Sequence, residues 1–162
     1  MAYTSLGYSL PDLQISGAGG TVAAWQGSYQ VRVTLQNTGA STIIEPTALT
    51  PTTQLETGPD GNVVPPYATS SMADATDTVV GVYLARSPRS LAGAIKLGTF
   101  DAGTVLQNSM AQVESTLTLP SQPSGFRASG VYYLRFVAND GNTILESNFA
   151  NNVSAPVPVR FV

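Results

Sequence analysis

The residues of this sequence with the most evident capacity for chemistry lie between positions 139 and 148. Oxygen-bearing side chains are concentrated there, on Asn139, Asp140, Asn142, Glu146 and Asn148. Carboxylate and amide oxygens close together are the ligands that calcium prefers. Their spacing is not that of an EF-hand loop, however, and only two of the five carry charge. Because asparagines in such segments commonly bond their own backbone, we expect turns here, with bound calcium as the weaker alternative.

Catalytic chemistry has few candidate residues in this chain. The sequence contains no histidine and no cysteine, and its one lysine is Lys96. It therefore lacks the commonest general base, any thiolate nucleophile and the usual zinc ligands. A carboxylate pair for glycoside hydrolysis would have to come from Asp101, Glu114, Asp140 and Glu146. Each has a simpler role in a turn or on a strand surface, so we expect no enzymatic activity and no cofactor.

The element that leads into the oxygen-rich segment is a strand with one buried face. Within 131–138, Tyr132, Leu134, Phe136 and Ala138 alternate with the other four residues, and we expect them to form the buried face of a period-2 strand. The strand ends at Asn139–Asn142, whose residue types tolerate positive φ and close turns. A second short strand is predicted at Thr143–Glu146, before a polar block at 147–152. The sequence therefore predicts a hairpin.

Similar alternation predicts strands along most of the chain. They are expected at 11–16, 29–36, 80–84, 95–100, 110–119 and 157–161. Pro156 and Pro158 place the last of these at a sheet edge, because proline cannot donate to the ladder. Seven or eight strands separated by turn signals indicate an all-β, antiparallel sandwich. The predicted core is Leu13, Ile15, Val31, Val33, Leu35, Val82, Leu84, Val113, Leu117, Tyr132, Leu134, Phe136 and Val159.

The segment Gly130–Asn152, GVYYLRFVANDGNTILESNFANN, resembles the closing hairpin of the CARDB family of bacterial cell-adhesion-related modules. That hairpin reads G-x-Y-x-L, an Asp/Asn-rich turn, then I/V-x-E-S-N-x-x-N-N. Further similarity is found at Pro11–Ile15, Gly27–Gly39, Val79–Leu84 with Lys96–Thr99, Leu119–Pro120 and Gly125. The resemblance covers most of the chain, and it implies an immunoglobulin-like β-sandwich.

Two segments lie outside the resemblance, an N-terminal arm at 1–10 and an insertion at 43–77 within a single domain at 11–162. The insertion predicts a protruding hairpin or extended loop, with a turn at Pro59–Asn62. Both segments are rich in apolar residues, so we expect them to bind a partner; the alternative is that the insertion only caps one end of the sandwich. The candidate partner-binding residues are Tyr3, Leu6, Tyr8, Leu10, Leu55, Val63, Val64 and Tyr67.

Two aromatic residues have predicted structural roles. Immunoglobulin-like sandwiches often contain a tyrosine whose hydroxyl bonds the backbone at a strand corner, and Tyr132 is the candidate. Trp25, the one tryptophan, is expected to anchor the core, with an exposed binding role as the alternative.

Composition excludes two classes of partner. Charged residues make up 10% of the chain, and its seven basic residues are scattered along the sequence, so we predict no nucleic-acid binding. Apolar runs are far shorter than the roughly 20 residues of a membrane-spanning helix, so we predict no membrane insertion. The first residues lack the basic and hydrophobic regions of a secretory signal.

Two functional interpretations follow. We place first a virion surface protein, a decoration or cement protein of a tailed-phage capsid, which binds itself as a trimer and a major capsid protein. A chain that starts at its own Met1, without a signal and with the length of one gene product, favours that interpretation. Sandwiches of this kind also occur on phage heads, which is an analogy of fold. The alternative is an extracellular or bacterial cell-surface adhesion or spacer module of the CARDB type.

Overall fold

Strands form the regular structure of this chain, as the alternation in its sequence predicts. The computed structural model describes residues 8–39, 41–42, 56–57, 63–64, 75 and 77–162. Its strands are β1 Tyr8–Ser9, β2 Leu13–Gly19, β3 Val22–Ala23, β4 Ser28–Asn37, β5 Ser41–Thr42, β6 Glu56–Thr57, β7 Val63–Val64, β8 Val79–Ala85, β9 Ile95–Asp101, β10 Ser109–Thr118, β11 Gly130–Ala138 and β12 Val157–Phe161. The described residues include no helix of the length and apolarity needed to cross a membrane.

Two sheets pack face to face. One has five strands in the order β3-β12-β11-β8-β9, and the other has three in the order β10-β4-β2. All neighbours run antiparallel except β12 and β3, which pair in parallel over two residues. The predicted all-β antiparallel sandwich is therefore confirmed. The outer side of β12 is covered by β3 only at Arg160 and Phe161, so Pro158 lies on a free edge as predicted.

The core lies between the two sheets and follows the predicted inward positions. Twelve of the thirteen predicted core residues are buried. Val113 is only half-buried, like the other inward positions of β10 that precede Leu117. The ring of Phe136 lies directly over Gly17 of the facing sheet, where an added Cβ would come within 2.1 Å of the ring. Gly17 therefore permits this close approach of the two sheets.

The predicted strand at Thr143–Glu146 is wrong. Asn139 adopts a left-handed conformation, with φ of 50°, and its side chain bonds both main-chain groups of Ile144. Because a side chain takes the place of a strand partner here, the chain turns instead of forming a ladder. β11 pairs with β8 and β12, and the segment between β11 and β12 contributes one isolated bridge, Val137 to Val153.

The two ends of the sandwich differ in their connections. At the end that we call the insertion end, β2 begins, β4 ends, β8 begins, β9 ends and β11 ends. The insertion 43–77 connects β4 to β8 and therefore leaves from and returns to this end. At the opposite end, which we call the far end, β2 and β8 end, β4 and β11 begin, and β12 ends.

Aromatic rings close the core at the far end. Trp25 is half-buried, and its ring centroid lies 4.2 Å from that of Phe161 and 5.9 Å from that of Phe126. The hydroxyl of Tyr132 accepts a hydrogen bond from the Arg127 amide at 2.6 Å and donates one to the Arg127 carbonyl at 3.2 Å. The corner role of Tyr132 and the anchoring role of Trp25 are both confirmed.

Truncation of the β11 core face tests the packing. We expect Leu134→Ala and Phe136→Ala each to lower the free energy of unfolding by about 2–5 kcal/mol, since both side chains are fully buried and would leave cavities. The measurement is urea denaturation followed by tryptophan fluorescence. Val131→Ala, on the exposed face of the same strand, is the matched control and should change stability by less than about 0.5 kcal/mol. Equal effects for all three variants would show that the assignment of inward and outward faces is wrong.

Candidate functional site

A carboxylate is buried at the insertion end. The side chain of Glu146 is 4% exposed, and it accepts three hydrogen bonds. Its Oε2 accepts one from the Leu13 amide at 2.9 Å, and its Oε1 accepts one from each side-chain amide of Asn139 and Asn152 at 2.7 Å. These donors come from the start of β2 and from both sides of the segment between β11 and β12. Because a buried charge must be compensated by polar partners, Glu146 fixes these three pieces of chain against one another.

A second polar cluster lies beside the first. The side chain of Asn37 accepts a hydrogen bond from the Asp12 amide at 3.1 Å and donates one to the Val105 carbonyl at 2.9 Å. The Asp12 carboxylate accepts hydrogen bonds from Asn151 at 2.7 Å and from the Thr38 hydroxyl at 2.9 Å. The two clusters together connect the ends of strands from both sheets. They form a base that holds the connecting segments of the insertion end in place.

The arm and the insertion begin at this base. Tyr8 pairs with Thr42 and Ser9 with Ser41, so the arm runs antiparallel to the first residues that follow β4. Further along the insertion, Glu56 pairs with Val64 and Thr57 with Val63. This antiparallel pairing agrees with the hairpin rather than the extended loop, and the predicted turn at 59–62 lies outside the described residues.

The predicted partner-binding residues are placed only in part. Tyr3, Leu6, Leu55 and Tyr67 lie outside the described residues. For Tyr8, Val63 and Val64 the strand pairing is described, without their side chains. Leu10 is 6% exposed, so its side chain packs within its own chain and would have to leave that position to bind a partner. The binding role of the set stays a prediction.

The insertion end exposes apolar side chains that sequence reasoning did not single out. They are Leu106 and Met110 around the start of β10, and Leu145 and Phe149 in the segment between β11 and β12. Phe149 is 47% exposed and Leu145 60%. The signal in the sequence was an apolar residue among turn-forming ones, but the predicted strand at 143–146 concealed it for Leu145.

Asp140 is not a simple turn residue, and sequence reasoning missed its partners. Its carboxylate accepts a hydrogen bond from the Tyr83 hydroxyl at 2.7 Å, forms an ion pair with Lys96, and lies over Gly81, where a Cβ would collide with it. Burial, and next the hydrogen bond to Asp140, raise the pKa of Tyr83. The hydrogen bond to Asp140 raises the pKa of Lys96. Both groups therefore stay protonated at neutral pH, and neither is suited to act as a nucleophile or base.

The candidate calcium ligands have other partners. Asn139 and Glu146 bond each other, and Asp140 is engaged by Tyr83 and Lys96. Asn148 accepts a hydrogen bond from the amide of Ala150, two residues on, in the turn geometry that was expected. The groups that surround these carboxylates direct N–H and O–H donors at them, so the carboxylate oxygens are already engaged within the protein. Within the described ranges, no three His, Cys, Asp or Glu side chains are grouped as a metal site would require.

An open groove crosses the outer face of the three-stranded sheet. It has a volume of about 370 Å³ and is lined by 18–20, 30–32 and 114–116. The charged side chains in this lining are Arg32 and Glu114, which pair with each other. The groove therefore offers no uncompensated charge to a ligand.

The basic residues are not scattered in three dimensions, which corrects the picture from the sequence. Arg86 and Arg89 follow β8, Arg127 precedes β11, and Arg160 lies near the end of β12. The guanidinium of Arg135 donates to the carbonyl of Pro88 at 2.7 Å and so also reaches toward this end. Five arginines from four separate parts of the sequence thus gather at the far end.

Comparison with known proteins identifies the fold. No protein-family model and no curated protein sequence matches the chain. The crystal structure of the CARDB domain of the PF1109 protein from Pyrococcus furiosus, in complex with di-metal ions, matches 100% of this chain and 100% of its own, at 16% identity and a TM-score of 0.55. The chain has a CARDB-type fold. A solution NMR structure of the same domain matches 95% of this chain and 97% of its own, at 17% identity and a TM-score of 0.54.

The CARDB-type fold gives the motif E-S-N-x-x-N-N at 146–152 a structural explanation. Glu146 is the buried acceptor, Asn152 is one of its donors, and Asn151 donates to Asp12. Both asparagines thus donate to carboxylates, Asn152 to one six residues away and Asn151 to one near the start of the chain. The resemblance to the CARDB family and the immunoglobulin-like fold that it implies are confirmed.

Replacement of the buried carboxylate tests its importance. We expect Glu146→Gln to lower the free energy of unfolding by roughly 1.5–3 kcal/mol, because the new amide group points a donor at an existing donor. Urea denaturation measures the change. The matched control is Glu114→Gln, which removes an exposed ion pair and should cost less than about 1 kcal/mol. A Glu146 variant as stable as the control would show that the three hydrogen bonds do not hold the insertion end together.

Proposed function

We propose that this CARDB-type domain is a non-catalytic extracellular or cell-surface binding module, with the insertion end as its binding surface. The observation that carries the proposal is the construction of that end. A hydrogen-bonded base around Glu146 and Asp12 holds segments that expose apolar side chains, and the arm and the insertion leave from the same place. Binding residues are commonly found on loops that a rigid scaffold positions.

The exposed residues indicate how this surface binds. Leu145 and Phe149 lie in the segment whose two flanks are held by Asn139 and Asn152. Because the flanks are fixed, ordering these side chains on binding costs less conformational entropy than it would in a free loop. A partner with an apolar contact area is therefore the one that fits.

The lack of catalytic groups supports a binding role. The sequence has neither histidine nor cysteine, and Lys96 and Tyr83 are held in their protonated forms by burial and by Asp140. The carboxylates of Asp12, Asp140 and Glu146 already accept hydrogen bonds from the protein.

The comparisons favour the cell-surface alternative over the virion interpretation. The two structures described above are CARDB domains, and neither is a capsid component. The decoration role, the trimer and the capsid partner stay predictions without support from these structures. The adhesion module needs only the fold and the exposed insertion end.

Binding to cells tests the proposal. The purified, fluorescently labelled protein is mixed with cells of its source organism and measured by flow cytometry. We expect Leu145→Ser combined with Phe149→Ser to weaken binding at least about tenfold, which is 1.4 kcal/mol. The matched control is Val131→Ser, equally exposed but at the far end, which should leave binding unchanged. Melting curves establish that each variant is folded. The absence of cell binding by the unmodified protein, or equal binding by both variants, would contradict the proposal.

Metal dependence is a separate question, because the crystallised PF1109 domain holds di-metal ions. We propose that this chain needs no metal for stability, since donors of the protein already surround its buried carboxylates. We expect treatment with EDTA to leave the melting temperature unchanged. A drop of several degrees that calcium restores would contradict this and would implicate the segment 139–148.

A further inference from the structure

The charges of this chain are separated along the long axis of the sandwich. At the far end lie the arginines 86, 89, 127, 135 and 160, and at the insertion end lie the carboxylates Asp12, Asp77, Asp101, Asp140 and Glu146. The remaining charged side chains of the sandwich are paired: Arg32 with Glu114, and Lys96 with Asp140.

The sequence of the insertion is acidic as well. Residues 43–77 contain five carboxylates and neither lysine nor arginine. The small net charge of −3 therefore conceals a strong polarity. Among the described residues, five carboxylates lie at the insertion end, of which Asp140 is paired with Lys96 and Asp77 and Asp101 are exposed, against five arginines at the far end.

The arginines at the far end have no acidic partners among the described residues. Arg86 lies over the ring of Phe126, 5.8 Å from its centroid, and Arg135 donates to a carbonyl. These contacts position two guanidinium groups, but they leave the positive charge uncompensated. A surface with this much charge of one sign attracts a surface of the opposite sign.

Both ends also expose apolar side chains. The far end has Val22, Val131 and Val162, which are at least half exposed, and the insertion end has the four residues already described. Val22 and Val131 lie on either side of Arg160, because each is its partner in the sheet register. Each end thus combines an apolar contact area with charge of a single sign.

We propose that copies of this chain associate head to tail, with the far end of one copy against the insertion end of the next. The complementary surface for each end is present on the molecule itself, whereas two like ends repel. A contact between two different surfaces of identical copies forms a closed ring only if the rotation from each copy to the next adds up to a full turn. Otherwise it generates a linear array.

This proposal deepens the proposed function by naming the partner of the insertion end as a second copy. A polyanion on the far end is the competing occupant. It would use the arginines, but it would leave the complementary acidic end without a role. Self-association accounts for both ends with one contact.

Salt dependence and charge reversal test the proposal. The Debye length falls from about 30 Å to a few ångströms as salt rises, so contacts between exposed charges weaken steeply. We expect sedimentation velocity to show a mass that rises with protein concentration at about 20 mM NaCl and returns to the monomer at about 500 mM. A monomer under every condition overturns the proposal.

Variants assign the contact to its two ends. The far-end variant carries Arg86→Glu, Arg89→Glu and Arg127→Glu, and the insertion-end variant carries Asp77→Asn, Asp101→Lys and Thr104→Lys; all six positions are exposed. We expect the far-end variant to be monomeric and the insertion-end variant to associate less than the unmodified chain. An equimolar mixture of the two should associate again. Asp77 is changed to asparagine because its φ of 52° suits that residue type.

A control variant and a competing ligand complete the test. Arg32→Gln with Glu114→Gln removes a pair from the middle of the sheet without changing the polarity, and it should associate like the unmodified protein. Association that survives charge reversal overturns the proposal. So does a monomeric protein whose far-end arginines bind heparin, which would identify a polyanion as the occupant. Because cell binding is measured separately with Leu145 and Phe149 variants, loss of self-association with intact cell binding leaves the proposed function standing.

Discussion

The carboxylate of Glu146 is the constraint on which the insertion end depends. A charge taken out of water has to be met by donors, and here they are the Leu13 amide and the side chains of Asn139 and Asn152. The first belongs to the three-stranded sheet, and the other two flank the segment that leaves the five-stranded sheet. The two sheets are thus joined by a polar contact at the insertion end, while aromatic packing around Trp25 joins them at the far end.

This arrangement explains why an irregular segment is stable where a hairpin was expected. The main-chain groups of Ile144 are bonded by the side chain of Asn139, and that same side chain donates to Glu146. The polar requirements of the segment are met inside the fold, so no strand partner is needed. Its apolar residues, Leu145 and Phe149, are then left to face outward. The exposure that suits them to binding is a consequence of how the backbone beneath them is held.

The sequence was sufficient for elements whose pattern is independent of their neighbours. The alternation in β4 and β11 defines their buried faces whatever pairs with them, and both were predicted correctly. Val113 differs because its burial depends on how far the facing sheet covers this part of β10, which alternation does not encode. The role of Asn152 depends on a carboxylate six residues away, and that of Asn151 on one at the other end of the chain. Spacing along a sequence does not reveal such partners.

The arginines illustrate the same limit and have the larger functional consequence. Arg86, Arg127 and Arg160 are far apart in sequence, and only the antiparallel order of the strands brings them to one end. Once they are together, the near-neutral chain becomes a molecule with opposite charges at its two ends. Exposed apolar residues at both ends would otherwise favour association in any orientation. Charge of a single sign at each end disfavours contacts between like ends and leaves the apolar area available for the opposite one. The charged side chains of each surface thus determine the orientation of the contact, and the apolar side chains of the same surface provide its affinity.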